Sequence, residues 1–354
     1  MALIQFAPRN LSSFITKGSN LSESESKSQK LDPIDAVITW VDGDDPKLKA
    51  KQRKYFNVDD TEDDRISAER FSELGELYYC IALILKNAPF INRIYVVTDD
   101  QYPIYLGKIK SDFGQASFDK IQVIDHTQIF EGYEEYLPVF NSVSIETVLH
   151  KIPGLSDRYV YFNDDVFLGR KMVEEDFFIG NRPVLRGKYK GSASLKSKQK
   201  RRVRKQKGSD DPKVKKFRFK DAQYAAFRLI GEDEKYFWHD HTPHTFYRPR
   251  IEKFLQKNSE ALKSNISFRI RDVSQWDPVS LANALELASG NQNITKTCQT
   301  YIKPAGKSNP GFYFFRKKIL HNIKKKKFIC IQSLSSSNPT IQKKVTNWLE
   351  RLLS

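Results

Sequence analysis

The feature that most constrains this chain is a short β-branched run ending in acidic turn residues, which occurs four times. Ile34 to Trp40 (IDAVITW) runs into Val41-Asp42-Gly43-Asp44-Asp45-Pro46, and Arg93 to Thr98 (RIYVVT) ends in Asp99-Asp100. Lys120 to Ile124 (KIQVI) ends in Asp125-His126, and Tyr159 to Phe162 (YVYF) ends in Asn163-Asp164-Asp165. Runs of this length and composition, bounded by turn residues, read as buried strands. Between them, Glu69 to Asn87 places Phe71, Leu74, Leu77 or Tyr78, Ile81 and Ile84 or Leu85 at helical spacing and stops at Ala88-Pro89. Ser142 to His150 reads as a short helix closed by Pro153-Gly154. Strands alternating with helices predict a mainly parallel sheet with helices on both faces. Ligands of such sheets sit beyond the carboxyl ends of the strands, where Asp42, Asp99, Asp125 and Asp164 fall. Aspartate also suits turns for its own reasons. For one strand that reading prevails; four together favour a ligand-facing edge.

The remaining segments have distinct characters. Residues 1–33 read as a weakly ordered lead-in, Ser-rich and polar from Ser13 to Lys30. From Arg186 to Ser209 there is no acidic residue while Lys and Arg are dense, so residues 186–220 read as a solvated basic insertion. Phe217 to Ile230 returns to helical spacing, and Trp238 to Arg250 (WHDHTPHTFYRPR) has the His, Arg and aromatic content of a site-lining segment. A helix is expected over Ile251 to Lys263, an extended segment over Ser267 to Asp272, and another helix over Pro278 to Leu287. Phe312 to Lys327 alternates apolar with basic residues, which fits either an amphipathic element on an anionic membrane surface or a core edge with a charged face. Phe328 to Gln332 reads as a last strand, and Pro339 to Leu353 as a closing helix.

Net charge is +16, from 59 basic and 43 acidic side chains, which favours polyanionic partners. Cys80, Cys298 and Cys330 are odd in number, and no C-x-x-C occurs, so neither a disulfide framework nor a thiolate zinc site is indicated. No apolar run approaches the roughly 20 residues of a membrane helix, and Met1 to Thr16 lacks a basic region before its apolar stretch. A cytoplasmic protein is expected. The phosphate-binding G-x-x-x-x-G-K-[ST] loop, the dinucleotide G-x-G-x-x-G fingerprint and the G-x-S-x-G elbow are all missing.

Four constellations could carry chemistry. Asn163-Asp164-Asp165 sets two carboxylates after a strand, the oxygen donors that Mg²⁺ or Mn²⁺ prefers beside a diphosphate; as a turn it is also commonplace. Around Asp42, Gly43 allows close approach to a ligand and Trp40 offers a ring to stack on a base. His239, His241 and His244, with Arg248 and Arg250, combine proton acceptors with phosphate forks; zinc is the competing reading. On an extended segment Arg269 and Arg271 would point the same way and could grip one anion; two solvated arginines explain the pair equally well.

These pieces resemble the Stealth family, which includes bacterial capsular polysaccharide phosphotransferases and the animal GlcNAc-1-phosphotransferase of lysosomal enzymes. The resemblance covers Ile34 to Gln332 in four blocks. The first is IDAVITWVDGDDP. The second comprises Arg70-Phe71, Glu76-Leu77, APFINRIYVVTDDQYPIYL and LPVFNSVSIETVLHKIPGLSDRYVYFNDDVFLG. The third is HTPHTFYR with Arg271 downstream, and the fourth is KFICIQS. The chain departs from the family where its helix has Ala82 in place of an arginine, and where Gln332-Ser333 replaces Asn-Asp.

The resemblance implies an α/β fold, Rossmann-like and GT-A-like, with a catalytic domain over 34–333 carrying the basic insertion and a C-terminal helix over 334–354. It implies transfer of a hexose-1-phosphate or N-acetylhexosamine-1-phosphate from a UDP-sugar to a hydroxyl of a growing capsule glycan, with UMP leaving. Asp164 and Asp165 resemble the family's Mg²⁺- or Mn²⁺-holding pair, and His241 its catalytic histidine. Arg271 and Arg248 resemble its donor-phosphate ligands. Trp40, Val41, Asp42 and Gly43 resemble the nucleotide loop, and Phe140, Asn141 and Glu146 the site floor. Arg70, Asn163, His244 and Arg269 complete the expected binding set. Expected partners are the UDP-sugar, an oligo- or polysaccharide acceptor, and peripheral contact with the cytoplasmic face of the inner membrane and the capsule assembly machinery. A metal-dependent glycosyltransferase releasing UDP is the alternative. A basic nucleic-acid-binding protein is disfavoured, because the basic clusters lie outside the matching blocks.

Overall fold

The computed structural model describes residues 31–55, 74–197, 217–296, 299–303, 326–335 and 337–354. Most of the N-terminal lead-in, Arg70, the centre of the basic insertion, Cys298 and nearly all of the Phe312 to Lys327 stretch lie outside the described residues.

A five-stranded sheet organises the chain. Strands β1 (Ile34–Thr39), β2 (Ile91–Thr98), β3 (Ile121–Asp125) and β4 (Arg158–Asn163) run parallel, with β1 paired to both β2 and β4, and β3 outside β2. All four strands expected from the acidic-ended runs are present. β1 takes a central place because it is buried on both faces. Ala36 and Ile38 join one core and Val37 the other, as the two-residue side-chain period requires. Its one charged residue, Asp35, is fully satisfied: it accepts from Asn92 Nδ2 (3.0 Å), the Arg93 amide (3.1 Å) and the Ser156 amide (2.8 Å). That buried carboxylate thereby ties β1 to the start of β2 and to the turn before β4.

Helices cover both faces. α1 (Pro46–Tyr55) lies at the carboxyl end of the sheet, where Lys51 pairs with Asp99 at 2.8 Å. On one side the apolar α2 (Glu76–Asn87) packs with β5 (Val166–Leu168), β9 (Gln299–Ile302) and β10 (Phe328–Ile331), themselves a second sheet in the order β9-β10-β5. Ala82 is fully buried within this core. The closing helix α9 (Pro339–Leu353) seats Val345, Trp348 and Leu349 in the same core, so it is part of the domain and not an appendage. On the other side lie α4 (Ser142–Val148), α6 (Arg248–Lys257), α7 (Ser259–Ile266) and α8 (Pro278–Ala288). A third small core joins β6 (Leu185–Gly191), β7 (Lys235–His239) and α5 (Phe219–Leu229). The sheet ends in the antiparallel β8 (His244–Tyr247) beside β4. Between β2 and β3 runs α3 (Leu106–Phe113).

Three expectations are corrected here. The basic insertion does not begin at Arg186: Arg186 to Gly191 form β6, and the Arg186 guanidinium is buried over the Phe177 and Phe328 rings at 5.2 and 4.6 Å. The helix expected over Ile251 to Lys263 is two helices, broken where Asn258 leaves helical geometry (φ −125°, ψ 51°) and its side-chain amide takes the Phe254 carbonyl at 2.8 Å. Ser267 to Asp272 is not a strand but an irregular turn, so the common orientation of Arg269 and Arg271 does not arise.

Candidate active site

A cleft of about 640 Å³ opens at the carboxyl ends of β1, β2 and β4. Trp40 and Val41 enter it from β1, Asp99 from β2, His126 from the end of β3, and Asn163, Asp164 and Asp165 from β4. Phe140, Asn141 and Glu146 form its floor, and His239, His241, His244, Arg271 and Lys303 face it from later segments. Of the four strand-end aspartates, two line the cleft. Asp42 instead closes a turn by accepting the Asp44 amide at 2.9 Å, and Gly43 lies beside it outside the cleft. Asp125 caps the short helix His126–Ile129 and accepts the Asp100 amide at 2.6 Å. For those two, turn chemistry accounts for the residue.

The Asn163-Asp164-Asp165 turn is pinned by secondary structure on both sides. β4 ends at Asn163, β5 starts at Val166, and the Ile331 amide of β10 donates to the Asp165 carbonyl at 3.0 Å. The Asp165 carboxylate stands 3.8 Å from Cys330 Sγ. Burial, then the charge of Glu76, pushes its pKa up to about 7. Burial likewise raises Glu76. This wall carries closely spaced carboxyl groups, the hard oxygen donors a divalent cation takes. Asp164 and Asp165 are the residues that could hold one. Among the described residues no cluster of three or more His, Cys, Asp or Glu side chains has metal-holding geometry.

The floor is a hydrogen-bonded network. The Tyr161 hydroxyl meets Thr39 Oγ1 at 3.0 Å, Glu146 Oε1 at 3.1 Å and Asn163 Oδ1 at 2.8 Å. Burial, then the nearby Asp277 charge, pushes Glu146 up to about 8. Asn141 caps α4 by accepting the Val143 amide at 3.1 Å, and donates to the Phe268 carbonyl and Gln275 Oε1 at 3.1 and 2.9 Å. It therefore locks the turn carrying Arg271 against α4. Arg271 donates to Ser142 Oγ at 2.7 Å and lies over the Phe219 ring at 4.8 Å.

The histidines form a second wall. His239 Nε2 lies 2.8 Å from Asp277 Oδ2. Asp277 in turn caps α8, accepting the Ser280 amide at 2.8 Å. The His239 and His244 rings meet edge-on at 4.6 Å, and His241 stacks on Tyr301 at 5.5 Å. Burial opposes the Asp277 charge, yet His239 and the Ser280 hydrogen bonds outweigh it and hold this carboxyl below its ordinary range. Burial lowers His241, with Asp240 and Asp277 acting the other way. Burial, His239, His241 and Arg186 hold His244 well below the usual histidine range.

Near the first strands, Trp40 Nε1, Asp99 Oδ2 and His126 Nδ1 are buried with no hydrogen-bond partner among the described residues, and all three residues line the cleft. Buried polar groups are rarely left unpaired, so these three atoms are available to a ligand.

Three further expected residues lie elsewhere. Arg248 follows β8, which runs antiparallel to β4, so Tyr247 pairs with Arg158 at the amino end of β4, the edge opposite the cleft. There Arg248 pairs with Asp157 at 2.6 Å. Arg250 likewise turns to Glu286 at 2.6 Å. Arg269 faces away, donating to the Glu135 and Leu137 carbonyls at 3.2 Å each and covering the Tyr55 ring at 4.8 Å. The residues missed were Asp277, Tyr161, His126, Gln223, Lys220 and Lys303. Asp277-Pro278 is legible as a helix start, but not as the partner of a histidine 38 positions earlier.

Comparison with known proteins bears on the same residues. Residues 32–55 match the family model of Stealth protein CR1, conserved region 1, and residues 70–184 match Stealth protein CR2, conserved region 2. The chain belongs to the Stealth family. The two regions of this Stealth chain supply Trp40, Asp99, Glu146 and the Asp164-Asp165 pair, while the histidine wall and Arg271 come from beyond them. A capsular polysaccharide phosphotransferase, LcbA of Aeromonas hydrophila, is 37% identical over 241 residues, covering 63% of this chain and 60% of that protein. The capsular polysaccharide phosphotransferase cps1A of Actinobacillus pleuropneumoniae is 41% identical over 150 residues, covering 42% and 39%. The receptor polysaccharide phosphotransferase WefC of Streptococcus oralis is 29% identical over 288 residues, covering 75% and 81%. The chain thus spans less than two thirds of the length of the first two. Among solved structures, the galactosyltransferase LgtC in complex with donor and acceptor sugar analogues overlaps at a TM-score of 0.41 and 11% identity, over 90% of this chain and 95% of that one. An overlap that loose carries no argument about activity. No described helix is long and apolar enough to cross a membrane.

Proposed function

We propose that this Stealth chain transfers a sugar-1-phosphate from a UDP-sugar to a hydroxyl of a growing polysaccharide, forming a phosphodiester and releasing UMP. One observation carries the reading. A single cleft gathers the Asp164-Asp165 pair, Arg271 and a histidine wall backed by a buried carboxylate, with Arg271 and His241 both packed against Phe219. That arrangement suits a doubly charged diphosphate beside a hydroxyl losing its proton. The phosphotransferase names of the relatives point the same way.

In this reading His241 takes the proton of the acceptor hydroxyl. The hydroxyl oxygen bonds to the phosphorus that carries the sugar. The bond from that phosphorus to the bridging oxygen breaks, and UMP leaves with the bridging oxygen and the electron pair. The sugar–oxygen bond is untouched. Positive charge gained by His241 is balanced by Asp240 and Asp277. Arg271, steadied by Ser142 and Phe219, offers its guanidinium to the phosphoryl oxygens. Mg²⁺ or Mn²⁺ held by Asp164 and Asp165 would supply charge neutralisation for the diphosphate. The orphaned polar atoms of Trp40, Asp99 and His126 suit the nucleotide end.

The test is product analysis with a panel of UDP-sugars and an oligosaccharide acceptor. The expected result is UMP release with a phosphodiester signal in the phosphorus NMR spectrum of the glycan. Release of UDP would overturn the reading in favour of an ordinary glycosyltransferase.

A further inference from the structure

Next to the histidine wall, the structure gathers cations around one aromatic ring. β6 pairs antiparallel with β7, setting Lys188 opposite Trp238 and Lys190 opposite Tyr236. The two lysines are two residues apart on a strand, so they share a face of β6. Lys190 Nζ lies 2.8 Å from the centre of the Trp238 ring, and the Nζ atoms of Lys188 and Lys220 lie 5.8 Å from it. Lys220 comes from the first turn of α5. Trp238 and Lys220 also line the cleft. The cluster therefore starts at the cleft and extends outward along β6.

Three ammonium groups held around one ring repel each other. Burial and the charges of Lys188 and Lys220 keep Lys190 below the ordinary lysine range, with Asp240 acting the other way. A concentration of like charge beside a cleft is relieved by a bound anion. The indole adds an apolar plane beside the charges, as a ring-shaped ligand with an attached anion requires.

We propose that Trp238, Lys188, Lys190 and Lys220 form an acceptor subsite for a sugar phosphodiester. Lys190 leaves the ring to meet the phosphate, which sits among the ammonium groups, and the sugar's C–H face takes its place on the indole. The identity of this ligand rests on the proposed reaction: an acceptor lengthened by earlier turnovers already carries phosphodiesters, and this subsite would hold one while its terminal hydroxyl occupies the cleft. Single-stranded nucleic acid also joins rings to phosphates, and the test separates the two.

The test is calorimetric binding to the full chain without donor. The probes are two synthetic tetrasaccharides of the same hexose, one joined by phosphodiesters and one by glycosidic bonds, and an oligodeoxynucleotide with as many phosphates as the first. The phosphodiester tetramer is expected to bind at least about tenfold more tightly than the neutral one. Lys188→Gln with Lys190→Gln should erase that preference while the neutral tetramer binds within about twofold of its original affinity, which also reports that the variant is folded. Lys188 is exposed and Lys190 half-buried, so both positions accommodate glutamine. Equal binding of the two tetramers by the unaltered chain would overturn the subsite. So would a preference that survives the double substitution, or tighter binding of the oligonucleotide. No turnover is involved, so UDP release in the product assay would defeat the proposed reaction and leave this binding result standing. Loss of the preference would defeat the subsite alone.

Discussion

His239 Nε2 stands 2.8 Å from Asp277 Oδ2, and that same carboxylate caps α8 through the Ser280 amide at 2.8 Å. A helix start and a histidine are thus held by one buried group. Asp277→Asn keeps the shape and the cap but removes the charge that favours protonated His241. A nearby carboxylate raises a histidine pKa, so its loss lowers that pKa. The acid limb of the kcat/KM–pH profile should shift to lower pH, with kcat reduced by about 10- to 100-fold. An unchanged profile would separate Asp277 from the chemistry. Asp277→Ala should add a stability loss of about 1 kcal/mol from the missing cap, read from denaturant unfolding.

Arg271 and Arg248 should respond oppositely to replacement. Arg271→Ala removes a guanidinium facing the cleft and should reduce kcat by about 100-fold or more. Lysine should not restore it, because a point charge lacks the planar fork. Arg248→Ala removes a partly exposed pair with Asp157 at the far edge of the sheet. It should leave kcat within about twofold and cost at most about 1 kcal/mol of stability. A large kcat loss at Arg248 would contradict its position.

The Asp164-Asp165 pair predicts a divalent-ion requirement. Treatment with a chelator should reduce UMP release by about 100-fold or more, and Mg²⁺ or Mn²⁺ should restore it. Asp164→Asn with Asp165→Asn should abolish both the activity and the ion's effect on the melting temperature. Full activity after exhaustive chelation would remove the ion from the reaction.

Glu146 gives a pH signature in stability. Its pKa is pushed from an ordinary 4.5 to about 8, first by burial and then by Asp277. The native state therefore keeps a proton that the unfolded chain has released, so this group makes stability fall as pH rises from about 4.5 to about 8. Glu146→Gln is neutral throughout. Its melting temperature should exceed that of the unaltered chain at pH 8, and the two should converge near pH 5. Parallel curves would show that Glu146 titrates normally.

Gly187 is fixed by space. A Cβ there would strike the Trp238 carbonyl oxygen and come within 2.6 Å of the Phe237 ring. Backbone cannot yield as a side-chain end can, so Gly187→Ala should cost about 1–3 kcal/mol. Gly187 pairs with His239, so activity should fall along with stability. A variant as stable as the original would mean that β6 and β7 are further apart.

Much of the fold is legible in the chain because it is set by local patterns. Four apolar runs ending in acidic turns specify four strands, and the apolar spacing from Leu77 through Ile84 specifies the helix between the first two, which starts at Glu76 past the left-handed Gly75 and does not include Leu74. Both depend on neighbours in sequence, as does the closing helix from Pro339. The Asn163-Asp164-Asp165 turn is legible for the same reason: its place follows from the strand before it. What the strand ends do was decided by tertiary structure. Asp42 and Asp125 satisfy backbone amides while Asp99 and Asp164 line the cleft, and no local pattern distinguishes the four. The antiparallel direction of β8 carries Arg248 to the wrong edge although it follows His244 by only four residues. His239 and Asp277 meet from 38 positions apart. The sequence by itself determined the elements and the edge where chemistry gathers, because hydrophobic period and turn residues act locally. Only the packed structure decided which polar side chains share that edge, because their partners are brought together by burial of the helices that carry them.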